Sequence, residues 1–187
     1  MKITFSAAVY NKIYLLCKDF VREGGEGDVL GGINLSIIDE SAVIATALDG
    51  IAMIHVREFA DIDFDGCARR EIVIPLVKPI KTDSQCVTIN YDDSTHRISV
   101  MQGQSTFSAI YGEAVDWRKL EDNFAGDGAV SEIGIDPTYL AKVGQVCKKY
   151  GAMRLRFGGS SVKPIRFEIN SALIWGLVLP VRISAAD

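Results

Sequence analysis

Glu132-Ile133-Gly134-Ile135-Asp136-Pro137-Thr138-Tyr139-Leu140-Ala141-Lys142-Val143-Gly144-Gln145-Val146-Cys147-Lys148-Lys149-Tyr150-Gly151 is the stretch that decides the fold. Glu132 to Ile135 reads as a strand. Asp136-Pro137 follows as a helix N-cap with proline at the first helical position, where a missing N–H is no loss. Tyr139, Leu140, Val143, Val146, Cys147 and Tyr150 fall on one stripe of a helix, and Gly151 closes it. Met153 to Phe157, Ile165 to Ile169 and Leu173 to Ile183 read as three strands. The unit is therefore strand, helix and strand meander.

The same order opens the chain. Lys2 to Phe5 is a short strand and Ser6 an N-cap. Val9, Ile13, Leu16, Cys17 and Phe20 share one face of a helix that Gly24 and Gly25 end. Gly24 to Gly32 is a glycine-rich connector. Strands are expected over Ile33 to Ile37, Ala42 to Ala47 and Ile51 to Val56, with turns at Asp39-Glu40-Ser41 and Asp49-Gly50. A middle unit, residues 72 to 111, has strands at Ile72 to Ile74, Cys86 to Tyr91, Arg97 to Met101 and Thr106 to Tyr111. Pro75 and Pro79 leave its helix stunted. Asp61 to Arg70 reads as a charged loop and residues 121 to 131 as a linker. A repeated unit with helices gathered on one face of antiparallel sheets makes the fold class α+β. The expected division is 1–122 and 123–187.

With 187 residues, 48% hydrophobic and 24% charged, the composition excludes a disordered chain. A net charge of −4 excludes a general basic coat, so any nucleic-acid contact must come from a local basic surface. Met1 to Phe5 lacks the apolar run of a signal peptide, and Ala172 to Val181 is too short to span a bilayer. The expectation is a cytoplasmic protein with no membrane contact. Cys17, Cys67, Cys86 and Cys147 form no CxxC pair and read as buried free thiols of a reducing compartment.

No catalytic or metal constellation stands out. His55 and His96 have no partner at metal-ligand spacing, so no metal or cofactor is expected. Gly25-Glu26-Gly27 with Gly31-Gly32 follows a helix and precedes a strand, the reverse of a phosphate loop. Asp61, Asp63 and Asp65 alternate without the glutamate that closes a calcium loop, and read as a solvated acidic segment. Trp117 and Trp175 read as packing anchors. No GxSxG elbow exists, and the chain is not expected to be an enzyme.

The helix charges are more informative. On the first helix, Lys18 and Arg22 lie opposite the apolar stripe, with Lys12 toward its flank. On the second, Lys142, Lys148 and Lys149 project away from the stripe, and residues 138 to 150 contain three lysines and no acid. Such a face can hold a polyanion by its phosphates without reading bases. It can equally keep a helix soluble and suit the dipole at its C-terminus. The charges alone leave both open.

Four segments, in order, resemble the bacterial DNA sliding clamp family, the β subunit of DNA polymerase III. Ala45-Thr46-Ala47-Leu48-Asp49-Gly50-Ile51-Ala52 resembles the family's A-T-D-G-H-R-L-A strand and turn, with one extra residue before Asp-Gly. Gly112-Glu113-Ala114-Val115-Asp116-Trp117-Arg118-Lys119-Leu120 resembles the G-x-F-P-D-Y-R-R connector that closes the middle domain. Ile133 to Leu140 resembles the strand-to-helix entry of the last half-domain, and Leu177-Val178-Leu179-Pro180-Val181-Arg182-Ile183 the closing V-M-P-M-R-L strand.

The resemblance implies that residues 1 to about 120 form a middle clamp domain, its second helix nearly lost around Leu76 to Ser84. Residues 132 to 183 would form half of the last domain. It implies a groove for peptides of polymerases or other clamp-binding proteins, with Asp49, Gly50, Trp117, Arg118, Leu179, Pro180, Val181, Arg182 and Ile183 as its candidates. Ile51-Ala52 departs from the family's His-Arg. The helices would line a hole around duplex DNA, making Lys12, Lys18, Arg22, Lys142, Lys148 and Lys149 phosphate contacts. The implied function is non-catalytic: a processivity factor of DNA replication, homo-oligomeric, encircling DNA irrespective of sequence. The alternative is a clamp-related regulatory protein that binds a clamp or polymerase without encircling DNA.

Overall fold

A computed structural model of the chain describes residues 1–24, 27–79, 86–110, 112–122, 129–130, 132–169 and 173–182. Its strands are β1 (Lys2–Ser6), β2 (Gly32–Ile37), β3 (Ala42–Leu48), β4 (Ala52–Phe59), β5 (Asp61–Asp63), β6 (Glu71–Pro75), β7 (Cys86–Asp92), β8 (Arg97–Gln102), β9 (Ser105–Ile110), β10 (Met153–Phe157), β11 (Ile165–Ile169) and β12 (Ile174–Val178). The helices are α1 (Ala7–Cys17), α2 (Arg118–Asp122) and α3 (Pro137–Tyr150). The caps behave as the sequence predicts. Val9 N donates to Ser6 Oγ at 3.2 Å, and Thr138 N to Asp136 Oδ1 at 2.8 Å.

All pairing within the two sheets is antiparallel. One sheet runs β5-β1-β7-β8-β9 and the other β10-β11-β12-β4-β3-β2-β6. The strands that lead each of the first two units trade places. β1 precedes α1 but pairs with β7 of the middle unit, and β6 of the middle unit pairs with β2. α1 lies over both sheets, touching β1 and β7 of one and β3 and β4 of the other. That position buries Tyr10, Ile13, Leu16 and Cys17, and burial pushes the Cys17 thiol up to about 12. The Tyr10 hydroxyl keeps a partner in the core, donating to the Val77 carbonyl at 3.0 Å.

The third unit joins through β12, which pairs with β4 from Ile174↔Val56 to Val178↔Ala52. The chain on either side of residue 122 thus shares one sheet. It also shares one core, in which Val143, Val146, Phe167 and Ile169 pack with Ile54 and Val56. Gly176 permits this: β12 passes so close to β4 and to the Phe167 ring that a Cβ there would collide with the Met53 carbonyl. Lys12 of α1 lies 5.8 Å from the Tyr150 ring of α3, so the two long helices sit on the same side of the sheets.

Several expectations change. The first helix ends at Cys17, not near Gly24. Phe20 N donates to Cys17 O in a tighter turn that drives the Phe20 ring into the core, and Arg22 N donates to Leu30 O. Asp61 to Asp63 is a strand rather than loop, because the outer edge of β1 is free to pair with it. Glu132 to Ile135 is not a strand; it makes one bridge, Gly134 to Val181. The last strand stops at Val178: Leu179 N still donates to Ile51 O in register with β4, but Pro180 has no N–H to continue the ladder. Cys86 is exposed and Cys147 half-exposed, so only Cys17 and Cys67 are buried free thiols. The stunted helix is expected around Leu76 to Ser84; residues 76–79 are not helical, and residues 80–85, like most of the linker, lie outside the described residues, while α2 occupies the linker's start.

Among the described residues no helix is long and apolar enough to cross a membrane, and no three His, Cys, Asp or Glu side chains are grouped to hold a metal ion.

Candidate partner-binding cleft and basic face

Leu48 ends β3 and Ala52 begins β4, and between them Asp49 and Gly50 make the turn. Asp49 Oδ1 accepts from Ile51 N and Ala52 N, both at 2.9 Å. Gly50 sits at φ +99, in the left-handed region that favours glycine. The chain leaving β12 docks beside this turn, Leu179 N donating to Ile51 O at 2.9 Å. The turn, the exit of β12, the connector before α2 and the 162–164 loop enclose a cleft of about 550 Å³. It is lined by Leu48, Gly50, Ile51, Ala52, Met53, Val115, Leu120, Val162, Lys163, Pro164, Leu177 and Leu179. The lining is mostly apolar and the volume suits several side chains of a bound peptide.

The cleft floor is a small separate core of Leu48, Met53, Trp117 and Leu177. Trp117 is fixed by its indole N–H, which donates to Ser36 Oγ at 3.0 Å. The connector is fixed beside it by Val115 N, which donates to Asn34 Oδ1 at 2.9 Å. Below the floor, the His55 ring stands 4.4 Å from Trp117 and 4.0 Å from Trp175. Its Nδ1 lies 2.7 Å from Thr46 Oγ1. Burial, reinforced by the positive charges of Arg166 and Arg118, pushes the His55 pKa down to about 3, so the ring is neutral. The two guanidiniums lie over the Trp175 and Trp117 rings at 4.3 and 4.6 Å. They also pin the connector across the sheet: Arg118 pairs with Glu71 at 2.6 Å, and Arg166 with Glu121 at 2.8 Å.

The DNA polymerase sliding clamp from Bacillus subtilis superposes with a TM-score of 0.72 over 98% of this chain, at 16% identity. The chain has the fold of the bacterial DNA sliding clamp. The sliding clamp from Pseudomonas aeruginosa gives a TM-score of 0.75 at 13% identity, again over 98% of this chain. The putative DNA polymerase III β subunit from Eubacterium rectale gives 0.72 at 14%. The chain spans only 65%, 67% and 66% of those three proteins. No protein-family model and no curated protein matches it.

Within this clamp fold the expected groove residues separate. Gly50 and Leu179 line the cleft, Trp117 floors it, and Asp49 holds its turn from behind. Pro180 follows Leu179 at half exposure. Arg118 stacks on Trp117 and is not part of the lining. Val181 and Arg182 line an adjoining, more polar cleft of about 740 Å³ with Gly134 and Ser161, and Val162 borders both clefts. Ile183 lies outside the described residues. The lining side chains Met53, Val115, Leu120, Val162, Lys163 and Pro164 escape the sequence reading. The one signal is the exposed apolar character of Val162, 69% accessible, beside Ile51 at 44%. Ile51 thus puts an apolar side chain on the rim, and Ala52 is buried.

The expected DNA-facing cations separate too. Lys148 and Lys149 are exposed on the last turn of α3 and form no ion pair among the described residues. Lys149 lies 5.3 Å from the Tyr150 ring. Lys18 caps the end of α1 and meets its neighbour Asp19 at 3.0 Å. Arg22 lies beyond the helix altogether and is held by Asp28 at 2.8 Å. Lys12 is paired with Glu58. Lys142 does not project freely: it meets Asp49 Oδ2 at 3.1 Å and lies over the Tyr139 ring. Partial burial raises the Asp49 pKa, but the N–H groups of Ala52 and Ile51 and the Lys142 charge outweigh it and hold the carboxyl below the usual range. A residue expected to face DNA thus braces the turn beside the cleft.

Proposed function

We propose that this chain is a non-catalytic tethering protein of the sliding-clamp kind. Copies assemble around duplex DNA, contact phosphates without reading sequence, and offer the apolar cleft to a polymerase or another clamp-binding peptide. The observation that carries this reading is the cleft itself. It lies where the third unit joins the first, between the Asp49-Gly50 turn and the β12 exit, in a chain that superposes on clamps over nearly its whole length. On the DNA side, Lys148 and Lys149 are the cations best placed for phosphate.

The test is retention on closed circular against linearised plasmid. The protein stays on circles and runs off linear ends. Changing Lys148→Glu and Lys149→Glu together weakens association and lowers the salt slope by about 2, near 0.9 for each phosphate that is no longer neutralised. Equal retention on both DNA forms, or no association at low salt, refutes the reading.

A second reading is favoured by the ion pairs. Lys12, Arg22 and Lys142 are each engaged by a carboxylate. On that reading the protein docks on a clamp or polymerase without encircling DNA, and the same charge reversals leave partner binding intact.

A further inference from the structure

In the complete domain each leading strand crosses to the other unit. β1 runs ahead of α1 but closes the outer edge of β7, and β6 closes the outer edge of β2. The third unit lacks this exchange. Among the described residues, β10, the strand that follows α3, pairs on one side with β11 and ends its sheet on the other. Among the described residues, the segment ahead of α3, residues 132–135, makes one bridge, from Gly134 to Val181. Residues 123–131, which separate it from α2, are too few to supply another unit. An open edge and an unused leading strand therefore stand in the same unit.

We infer that they meet in trans. A second copy of this chain lays its residues 132–135 along β10 and receives the same segment in return, so that two third units make one complete domain about a twofold axis. Such an interface is self-complementary, each copy giving and taking one strand.

The surroundings of β10 fit this occupant. Leu140 on α3 is 45% exposed and Leu155 on β10 is 37% exposed, beside a small hollow that Ile135 and Met153 also line. Tyr10, which stands as far from the N-cap of α1 as Leu140 does from that of α3, is only 1% exposed. α1 has two sheets beneath it, whereas α3 buries only Val143 and Val146. β1 is bonded on both edges, to β5 and to β7; the Gly134 bridge to Val181 takes one edge of the leading segment and leaves the other open. Side-chain parity in an antiparallel pair allows Ile133 opposite Leu155 and Ile135 opposite Met153. In that register Glu132 falls opposite Arg156, which already meets its own Glu168 at 3.5 Å, giving a cross-strand pair of opposite charge. β10 alternates its apolar side chains with the exposed Arg154 and Arg156, so one face of its edge is apolar and the other charged.

This deepens the assembly part of the proposed function but stands on the sheet topology alone. A dimer without DNA affinity would overturn only the tethering reading, and a DNA-retaining monomer only this one. The experiment is sedimentation equilibrium of the full chain up to about 100 μM, with Leu155→Lys and Ile133→Lys beside the unchanged protein. Circular dichroism and thermal melting confirm that each is folded. The expected result is an even number of copies, with self-association weakened at least about tenfold by each variant, a loss of about 1.4 kcal/mol. A monomer throughout, an odd number of copies, or association that Ile133→Lys leaves unchanged overturns the inference. If Leu155→Lys fails to fold, Ile133→Lys decides alone.

Discussion

Lowering the pH should loosen the floor of the cleft through one side chain. His55 is 1% exposed, packed edge-on to Trp117 and tilted against Trp175, with Arg118 and Arg166 above the two indoles. Burial first, then those two charges, put its folded pKa at about 3, against the ordinary 6.5. The unfolded chain therefore takes up this proton more readily than the folded one. Stability from the neutral ring is complete above the unfolded value. It is lost as pH falls from there toward about 3, at about 1.4 kcal/mol per pH unit. Between pH 7 and pH 5 the loss is about 2 kcal/mol. The assay is urea unfolding at pH 7, 6 and 5 on the natural protein and on His55→Phe. Phenylalanine keeps an aromatic ring in place but has no proton to gain, and other titrating groups cancel in the comparison. Its stability is lower at pH 7, because the hydrogen bond with Thr46 is gone, but falls less with pH by about 2 kcal/mol. Parallel losses in the two proteins would refute the reasoning, since the ring would then be titrating as if exposed.

Gly176→Ala should lower stability by about 2 kcal/mol or more, because its Cβ meets the Met53 carbonyl and the Phe167 ring at a junction with no room to relax. A lower urea midpoint at unchanged slope checks it, and an unchanged midpoint counts against the β4–β12 approach. Asp49→Ala should lower stability by about 1–2 kcal/mol, since two turn N–H groups and Lys142 lose their acceptor together. Asp49→Asn keeps an oxygen for the turn and should lose less; equal thermal shifts for the two variants would show that the turn bonds contribute nothing. The depressed Asp49 pKa has its own sign: its stabilisation is present above the ordinary carboxylate range and is lost as pH falls through the lower folded value.

Much of the fold was legible because it is written in local chemistry. Ser6 and the Asp136-Pro137 pair start helices through side chains that reach only two or three residues ahead. The alternation in Cys86 to Asp92 and Ile165 to Ile169 marks strands because a pleat exposes every second side chain. The resemblance also grouped Gly50 with Leu179, and the two line one cleft. Local chemistry failed where a distant partner decides. The apolar stripe of α1 continues to Phe20, but the helix stops at Cys17 because the segment beyond it is tied to Leu30. Glu132 to Ile135 has a strand's pattern and lacks a neighbour, and a strand exists only when another chain segment satisfies its N–H and C=O groups.

By itself, then, the sequence determined the order of the units, the helix starts, the strand alternation and the outward placement of Lys148 and Lys149. Tertiary structure alone decided that Lys142 turns to Asp49, 93 residues away, and that His55 is sealed between two tryptophans. It alone assembled the cleft from four separated segments. The reason is range: caps and periodicity act between near neighbours along the chain, whereas ion pairs, stacking and clefts depend on which strands lie side by side, and that is set only when the sheets form.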